Sequence, residues 1–211
     1  EDATEMKIPE KVTIDGTQYN VTSVASSACR AHATLTKVSF PATMRTIGTD
    51  AFAECYALSD VTFKEGIETL SARCFTNCRN IVSLDLPSTI TSLGVATFAK
   101  CKALKTVNMP ASLKVIGDST FAYDTFLTDL TLPEGLQTIG AYAFANAGLT
   151  KITIPSSVTS FGVGTFKGNT KIRTIYLRET VPSLPNLFCY GASSLTTVYV
   201  ENSMPWTLGF A

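Results

Sequence analysis

Asp60 and Asp85 offer the most reactive arrangement the sequence contains. They fall in matched stretches, LSDVTF and VSLDLP, in which an extended backbone would turn both carboxylates outward from adjacent strands. A diagonal pair of that kind lies about 7 to 8 Å apart, within the separation of the acid and base of an inverting glycosidase. Such work requires one carboxyl to be raised by an apolar pocket, and nothing apolar surrounds either residue in the pattern. His32 is the single histidine. Any Ser-His-Asp or Cys-His relay would have to use it, yet it falls in the turn after the most irregular stretch and reads as a solvated turn residue. Six cysteines are present, without a C-x-x-C pair, and the Cys29/His32 pair has no companions for zinc. No catalytic, cofactor-binding or metal-ligating residue is assigned.

The cysteines point to the architecture instead. Cys55, Cys78 and Cys101 are spaced by 23 residues, so equivalent positions would hold their side chains parallel. A disulfide needs Cβ atoms about 3.5 to 4.5 Å apart on converging vectors, and the expectation is therefore buried free thiols. A phenylalanine ladder keeps this spacing of 23 and shortens to 22 in its last two steps: Phe52, Phe75, Phe98, Phe121, Phe144, Phe166 and Phe188, with Cys29 one step earlier. The stretches LTKVSFPATMRTIGTDAFAEC, LKTVNMPASLKVIGDSTFAYD and LTKITIPSSVTSFGVGTFKGN align on it. The template is L-x-x-V-x-Φ-P-x-x-Φ-x-x-Φ-G-x-x-A/T-F-x-x-C, where Φ is apolar.

Each part of the template has a physical reading. Alternation such as Val38-Ser39-Phe40 or Leu84-Asp85-Leu86 is that of a short strand with one buried face. Pro41, Pro87, Pro110, Pro133 and Pro155 end it, because proline lacks the ladder donor. Inward pairs such as Met44/Ile47 and Leu113/Ile116 precede Gly48, Gly94, Gly117, Gly140 or Gly162, where a positive φ is expected. Phe52, Cys55 and Leu58 recur every third residue, which predicts a 3₁₀ or single-turn helical segment. One unit cannot bury its own apolar face, so about eight must stack into a solenoid.

Composition agrees. Charged residues make up 16% of the 211-residue chain, below the usual quarter or so, as suits buried strands and Ser/Thr-rich turns. Seventeen basic residues balance seventeen acidic ones, which gives no electrostatic case for nucleic acid or an anionic membrane. No run approaches the roughly 18 apolar residues of a spanning helix. The chain opens Glu1-Asp2-Ala3-Thr4-Glu5, with neither an initiator methionine nor a basic and apolar leader, which reads as a mature or trimmed chain.

The motif IP-x-x-V-x-x-IG-x-x-AF-x-x-C resembles the BspA-like leucine-rich repeats of bacterial surface and secreted proteins, over about residues 7 to 200. IPEKVTIDGTQYNVTSVASSAC is similar to the family's amino-terminal entry, with a hairpin at Asp15-Gly16 covering the first unit, and TTVYVENSMPW resembles its terminal strand and tail. The implied fold is an α/β repeat solenoid. It is a leucine-rich-repeat right-handed superhelix with short parallel strands on the concave face and turns or short 3₁₀ segments opposite. Residues 1–28 would form a capping hairpin and partial repeat, 29–195 the tandem repeats, and 196–211 a terminal strand and cap. The implied role is adhesion or protein recognition at the cell surface or after secretion, towards host or extracellular-matrix proteins, without membrane insertion. Departures are visible: Lys64 and Ser71 replace the proline and glycine of the third unit, and Asp124, Ala147 and Asn169 replace the ladder cysteine. The pattern loosens around Val181-Pro182-Ser183-Leu184-Pro185.

Recognition would fall to the outward strand positions. One column runs Lys37, Asp60, Ser83, Thr106, Asp129, Lys151, Thr174, Thr197, and the other Ser39, Thr62, Asp85, Asn108, Thr131, Thr153, Tyr176, Tyr199. Half are Ser or Thr, as strand propensity alone would give. The binding candidates are Tyr176, Tyr199, Lys37, Asp60, Asp85, Asn108, Asp129 and Lys151, with the tyrosines as a side-by-side platform. Trp206 either joins them or seals the last unit. The same face would suit a protein or a glycan, and a passive spacer is the third possibility.

Overall fold

The computed structural model describes residues 4–178 and 183–201, and Val181, Pro182 and Trp206 lie outside them. The chain winds into a parallel β-solenoid of about eight turns. The expected alternation appears in Lys37–Ser39, Asp60–Thr62, Ser83–Asp85, Thr106–Asn108, Lys151–Ile154, Thr174–Arg178 and Thr197–Glu201. These strands form a first ladder in three pieces, all parallel and in register at equivalent repeat positions. Residues 129–131 sit in the same column without strand pairing.

A second ladder is longer and is not legible as strand in the sequence. Ser23–Val24, Thr46–Ile47, Thr69–Leu70, Ser92–Leu93, Val115–Ile116, Thr138–Ile139 and Ser160–Phe161 form one continuous seven-stranded parallel sheet. Two-residue strands are too short to show alternation, so the sequence registers them only as an inward apolar position.

The third side differs from expectation: no helix, 3₁₀ or otherwise, forms among the described residues. The period of three is nevertheless real, because Ala51, Ala53 and Cys55 each donate their N–H to the carbonyl three residues back. The intervening N–H groups do not. Asp50, Phe52 and Glu54 donate to Ala72, Cys74 and Thr76 of the next layer, at 3.1, 2.8 and 2.8 Å. Alternate residues thus bond within and between layers, and Asp50 and Glu54 adopt positive φ of 56° and 64° to allow it. The same arrangement recurs at Arg73/Asn77, Ala96/Lys100 and Ser119/Tyr123.

The template glycines also have a different cause from the one expected. Gly48, Gly94, Gly117, Gly140 and Gly162 are absent from the positive-φ residues. A Cβ at Gly48 would stand 2.7 Å from the Val24 carbonyl, and one at Gly117 2.6 Å from that of Leu93. Glycine is present because the neighbouring layer's backbone passes too close for a side chain.

Between these three sides lies the apolar core. Phe52, Phe75, Phe98, Phe121, Phe144 and Phe166 are fully buried and stack face to face, with centroids 5.4 to 5.8 Å apart and planes within 17° of parallel. At the carboxyl end Phe188 turns edge-on to Phe166 at 83°. The amino end is covered differently from expectation. The hairpin Lys11–Ile14/Thr17–Asn20 does form across Asp15-Gly16, both with positive φ as a two-residue turn requires. Its eight strand residues are all exposed, however, so it stands off. Met6, Ile8 and Val21 pack on the core instead, with Glu5–Lys7 paired to Lys37–Ser39.

The cysteine column is a column of hydrogen-bond donors. Cys55, Cys78 and Cys101 are free thiols whose Sγ atoms reach the carbonyls of Cys29, Phe52 and Phe75 at 3.0, 3.1 and 3.3 Å. Asn169 fills the same slot and donates to Phe144 and Phe166. Asp124 fills it too, fully buried, with neither carboxyl oxygen partnered among the described residues. Burial pushes this carboxyl well above the usual carboxylate range, against the lowering effect of the Cys101 backbone, and the neutral acid has the donor that the slot uses.

Truncating Phe98 in the centre of the stack should cost about 3 to 5 kcal/mol, read as a lowered denaturation midpoint for Phe98→Ala. Asp124 carries a pH prediction. Its folded pKa lies above the unfolded value of about 3.9, so its contribution is complete below about pH 4 and is lost as pH rises through the folded pKa. Asp124→Asn supplies a donor that does not titrate. In urea denaturation at about pH 5 and pH 8, the stability gap between the Asp124→Asn variant and the native chain should widen at the higher pH, by up to roughly 1.4 kcal/mol per unit. A gap independent of pH would show an ionised or exposed carboxyl.

Candidate functional site: the outward strand face

The inward residues Val38, Leu84, Val107, Ile152 and Ile175 are buried, and the alternation of the strands turns their neighbours to solvent. All eight candidate binding residues lie on this face, and they fall into four neighbouring pairs. Lys37 Nζ meets Asp60 at 2.9 Å. The Asn108 amide donates to Asp85. Lys151 stands 3.9 Å from Asp129. Tyr176 and Tyr199 are in register on adjacent strands, with ring centroids 5.0 Å apart and planes within 7°. These pairs do not converge on one site. Lys37 and Tyr199 are seven layers apart, roughly 34 Å at about 4.8 Å per strand.

The exposed ion pairs neutralise one another and contribute little stability. Asp60 and Asp85 have separate partners: Asp60 accepts from Lys37 and from Thr62 Oγ1 at 3.3 Å, and Asp85 from Asn108. No hydrogen bond among the described residues connects the two carboxylates into an acid and base pair.

The tyrosine pair differs from the expected platform. Parallel rings separated by about one strand spacing stand up from the sheet and cover each other's faces. They form a ridge that presents edges, hydroxyls and two outer faces, and the two residues remain 40% and 54% exposed. One outer face looks towards the column position of Thr153, the strand neighbour of Tyr176. Beside the ridge a cleft of about 420 Å³ is lined by Thr153, the two tyrosines, Arg178 and Glu201. Arg178 Nη1 meets Glu134 at 3.0 Å and its Nε lies 3.9 Å from Glu201.

Sequence reasoning does not single out Arg178, Glu134 or Glu201. A signal is present, since Arg178 and Glu201 occupy the slot that holds proline in most units.

The other reactive groups are engaged in packing. Burial pushes the Cys55 thiol up to about 11 and raises Cys74, Cys78 and Cys101 well above their ordinary value, which removes the thiolate a nucleophile needs. His32 is half-buried with an unpartnered, buried Nδ1, in contrast to the solvated turn residue that the sequence predicts. It occupies the cysteine column, and no side-chain hydrogen bond among the described residues joins it to a serine or carboxylate. Among the described residues no group of three or more His, Cys, Asp or Glu could hold a metal ion, and no helix is long and apolar enough to cross a membrane.

Comparison with known proteins agrees with this geometry. The model of the BspA type leucine rich repeat region matches in six copies, over residues 22–125 and 104–205. No curated protein matches. Among solved structures, a leucine-rich repeat protein of T. pallidum is similar at 26% identity with a TM-score of 0.70, covering 82% of this chain and 79% of its own. A leucine-rich repeat protein from Bacteroides ovatus is similar in fold at 23% identity and a TM-score of 0.58. The match covers 93% of this chain but 63% of that one, so this chain spans under two thirds of its length. The family model, the stacked 23-residue layers and the phenylalanine spine agree: the chain belongs to the BspA-type leucine-rich-repeat family.

Proposed function

We propose that this chain is a non-enzymatic recognition module that binds a protein ligand through the outward strand face, with the Tyr176/Tyr199 ridge as its centre. Leucine-rich-repeat proteins generally mediate protein binding, and extended solenoid faces are their usual recognition surface. The observation that carries the reading is local. In a column otherwise filled by Ser, Thr, Asp and Asn, two half-exposed tyrosines stack beside a cleft bordered by a carboxylate-held arginine. Tyrosine and arginine are the residue types in which interface binding energy concentrates. Stacking fixes both rings before a ligand arrives, which lowers the ordering cost of association.

The wider reading is adhesion to a host or extracellular-matrix protein, by a chain that is secreted or held at the cell surface. Residues 1–28 and 196–211 would close the two ends of the tandem units, and the strand face would be the concave one. Lys37/Asp60, Asp85/Asn108 and Asp129/Lys151 then act as polar surroundings that set register more than affinity.

Probing an array of host and matrix proteins with the native chain and with a Tyr176→Ala, Tyr199→Ala double variant tests this reading. The double variant should keep its unfolding midpoint and lose at least about tenfold in affinity for the captured ligand. Binding that survives the double substitution would place the site elsewhere, and a native chain that captures nothing would make it a spacer.

A further inference from the structure

The turn side of the solenoid changes character along its length. In the early layers its outward columns are closed by ion pairs: Arg30 to Glu54 at 2.7 Å, and Arg73 to Asp50 at 2.7 Å with a second bond of 2.9 Å from Nε. These residues stand two before, one after or two after the ladder residue of their units. In the later layers the same three columns hold Tyr142, Lys167 and Tyr190. Lys167 Nζ lies 5.8 Å from the centroid of each ring, so the cation stands between two aromatic faces.

No carboxylate among the described residues forms an ion pair with Lys167. Lys171, on the same side, makes only a 3.5 Å contact with the Thr125 carbonyl. Tyr190 is 58% exposed. The neighbouring turn positions are Gly164 and Gly168, both with positive φ, and Tyr142 lies against the first of them. In these three columns the early layers match charge with charge, whereas in the later layers the part-buried Lys167 cation stands between two rings with no ion-pair partner among the described residues.

We infer that Tyr142, Lys167 and Tyr190 form a binding site for an acidic glycan, a uronate-type sugar whose pyranose ring lies on a tyrosine while its carboxylate meets Lys167. The chemistry favours this class because ring face and charge are adjacent in one sugar residue, as they are in the site. A glutamate or aspartate side chain has the charge but no face to lay on the flanking rings. The site is on a different side of the solenoid from the Tyr176/Tyr199 ridge, so the two are separable.

The test titrates the full chain at low salt with a hyaluronan hexasaccharide, with cellohexaose and poly-glutamate as comparisons. The uronate oligosaccharide should bind and weaken as salt rises, with cellohexaose and poly-glutamate each markedly weaker. Lys167→Gln should lose about tenfold and Tyr190→Ala about fivefold, while Tyr176→Ala with Tyr199→Ala leaves the affinity unchanged. Circular dichroism melts of each variant separate lost binding from lost fold. Absent binding, equal binding of poly-glutamate, or a folded Lys167→Gln chain of native affinity would each overturn the assignment.

Discussion

Each layer of this molecule must present to the next the surface that the next presents in turn. That constraint is enforced by the stacking of Phe52 through Phe166 at 5.4 to 5.8 Å, and by backbone bonds that run between layers on all three sides. The phenylalanine N–H groups contribute directly, each donating to its equivalent turn one layer on. A side chain in the template therefore has neighbours of its own kind above and below, and its identity is set by contact across the layer rather than by its local conformation. The glycines illustrate this, since the close backbone of the adjacent turn excludes a Cβ at Gly94 and Gly117. Thr120 does so as well, its buried hydroxyl reaching the Gly94 carbonyl of the preceding layer at 3.1 Å, whereas the hydroxyls of Thr97 and Thr165 donate to the glycine carbonyl of their own turn.

Much of this is legible in the sequence, because periodicity reports directly on what stacks. The phenylalanine ladder, the strand that ends at proline, the inward and outward residues around Val38 and Leu84, and the free thiols all follow from residue type and spacing. The errors share one origin. Period-three recurrence at Phe52, Cys55 and Leu58 suggests a helix, whereas the intervening N–H groups bond to the neighbouring layer. Gly48 suggests a φ requirement and proves to be a packing requirement. Thr46–Ile47 and its equivalents show no strand pattern because their ladder is two residues wide. In each case the deciding partner lies about 23 positions away, where a local pattern carries no information.

On the surface the same dependence on neighbouring layers decides what each outward residue meets. Candidate positions on the strand face are legible because alternation names them, but their grouping is not. Opposite charges at Lys37/Asp60 and Asp129/Lys151 neutralise each other, and the tyrosines cover each other's faces. What the strand face leaves open is the outer surface of that ridge and the cleft beside Arg178. On the turn side, the cation held between tyrosine rings belongs to the later layers. Both unfilled chemistries therefore occur towards one end of the solenoid, where Tyr142, Tyr176, Tyr190 and Tyr199 are found.

The stacked layers carry the fold, and the outward columns are only weakly coupled to them in energy. Converting Lys37, Asp60, Asp85, Asn108, Asp129, Lys151, Tyr176 and Tyr199 together to threonine and measuring the thermal unfolding midpoint tests that separation. Exposed positions of this kind lie within about 0.5 kcal/mol of neutral individually, so the expected result is a cooperative transition within a few degrees of the native chain. A midpoint lowered as far as by a core truncation, or loss of the cooperative transition, would show that the outward columns help hold the layers together and would contradict it.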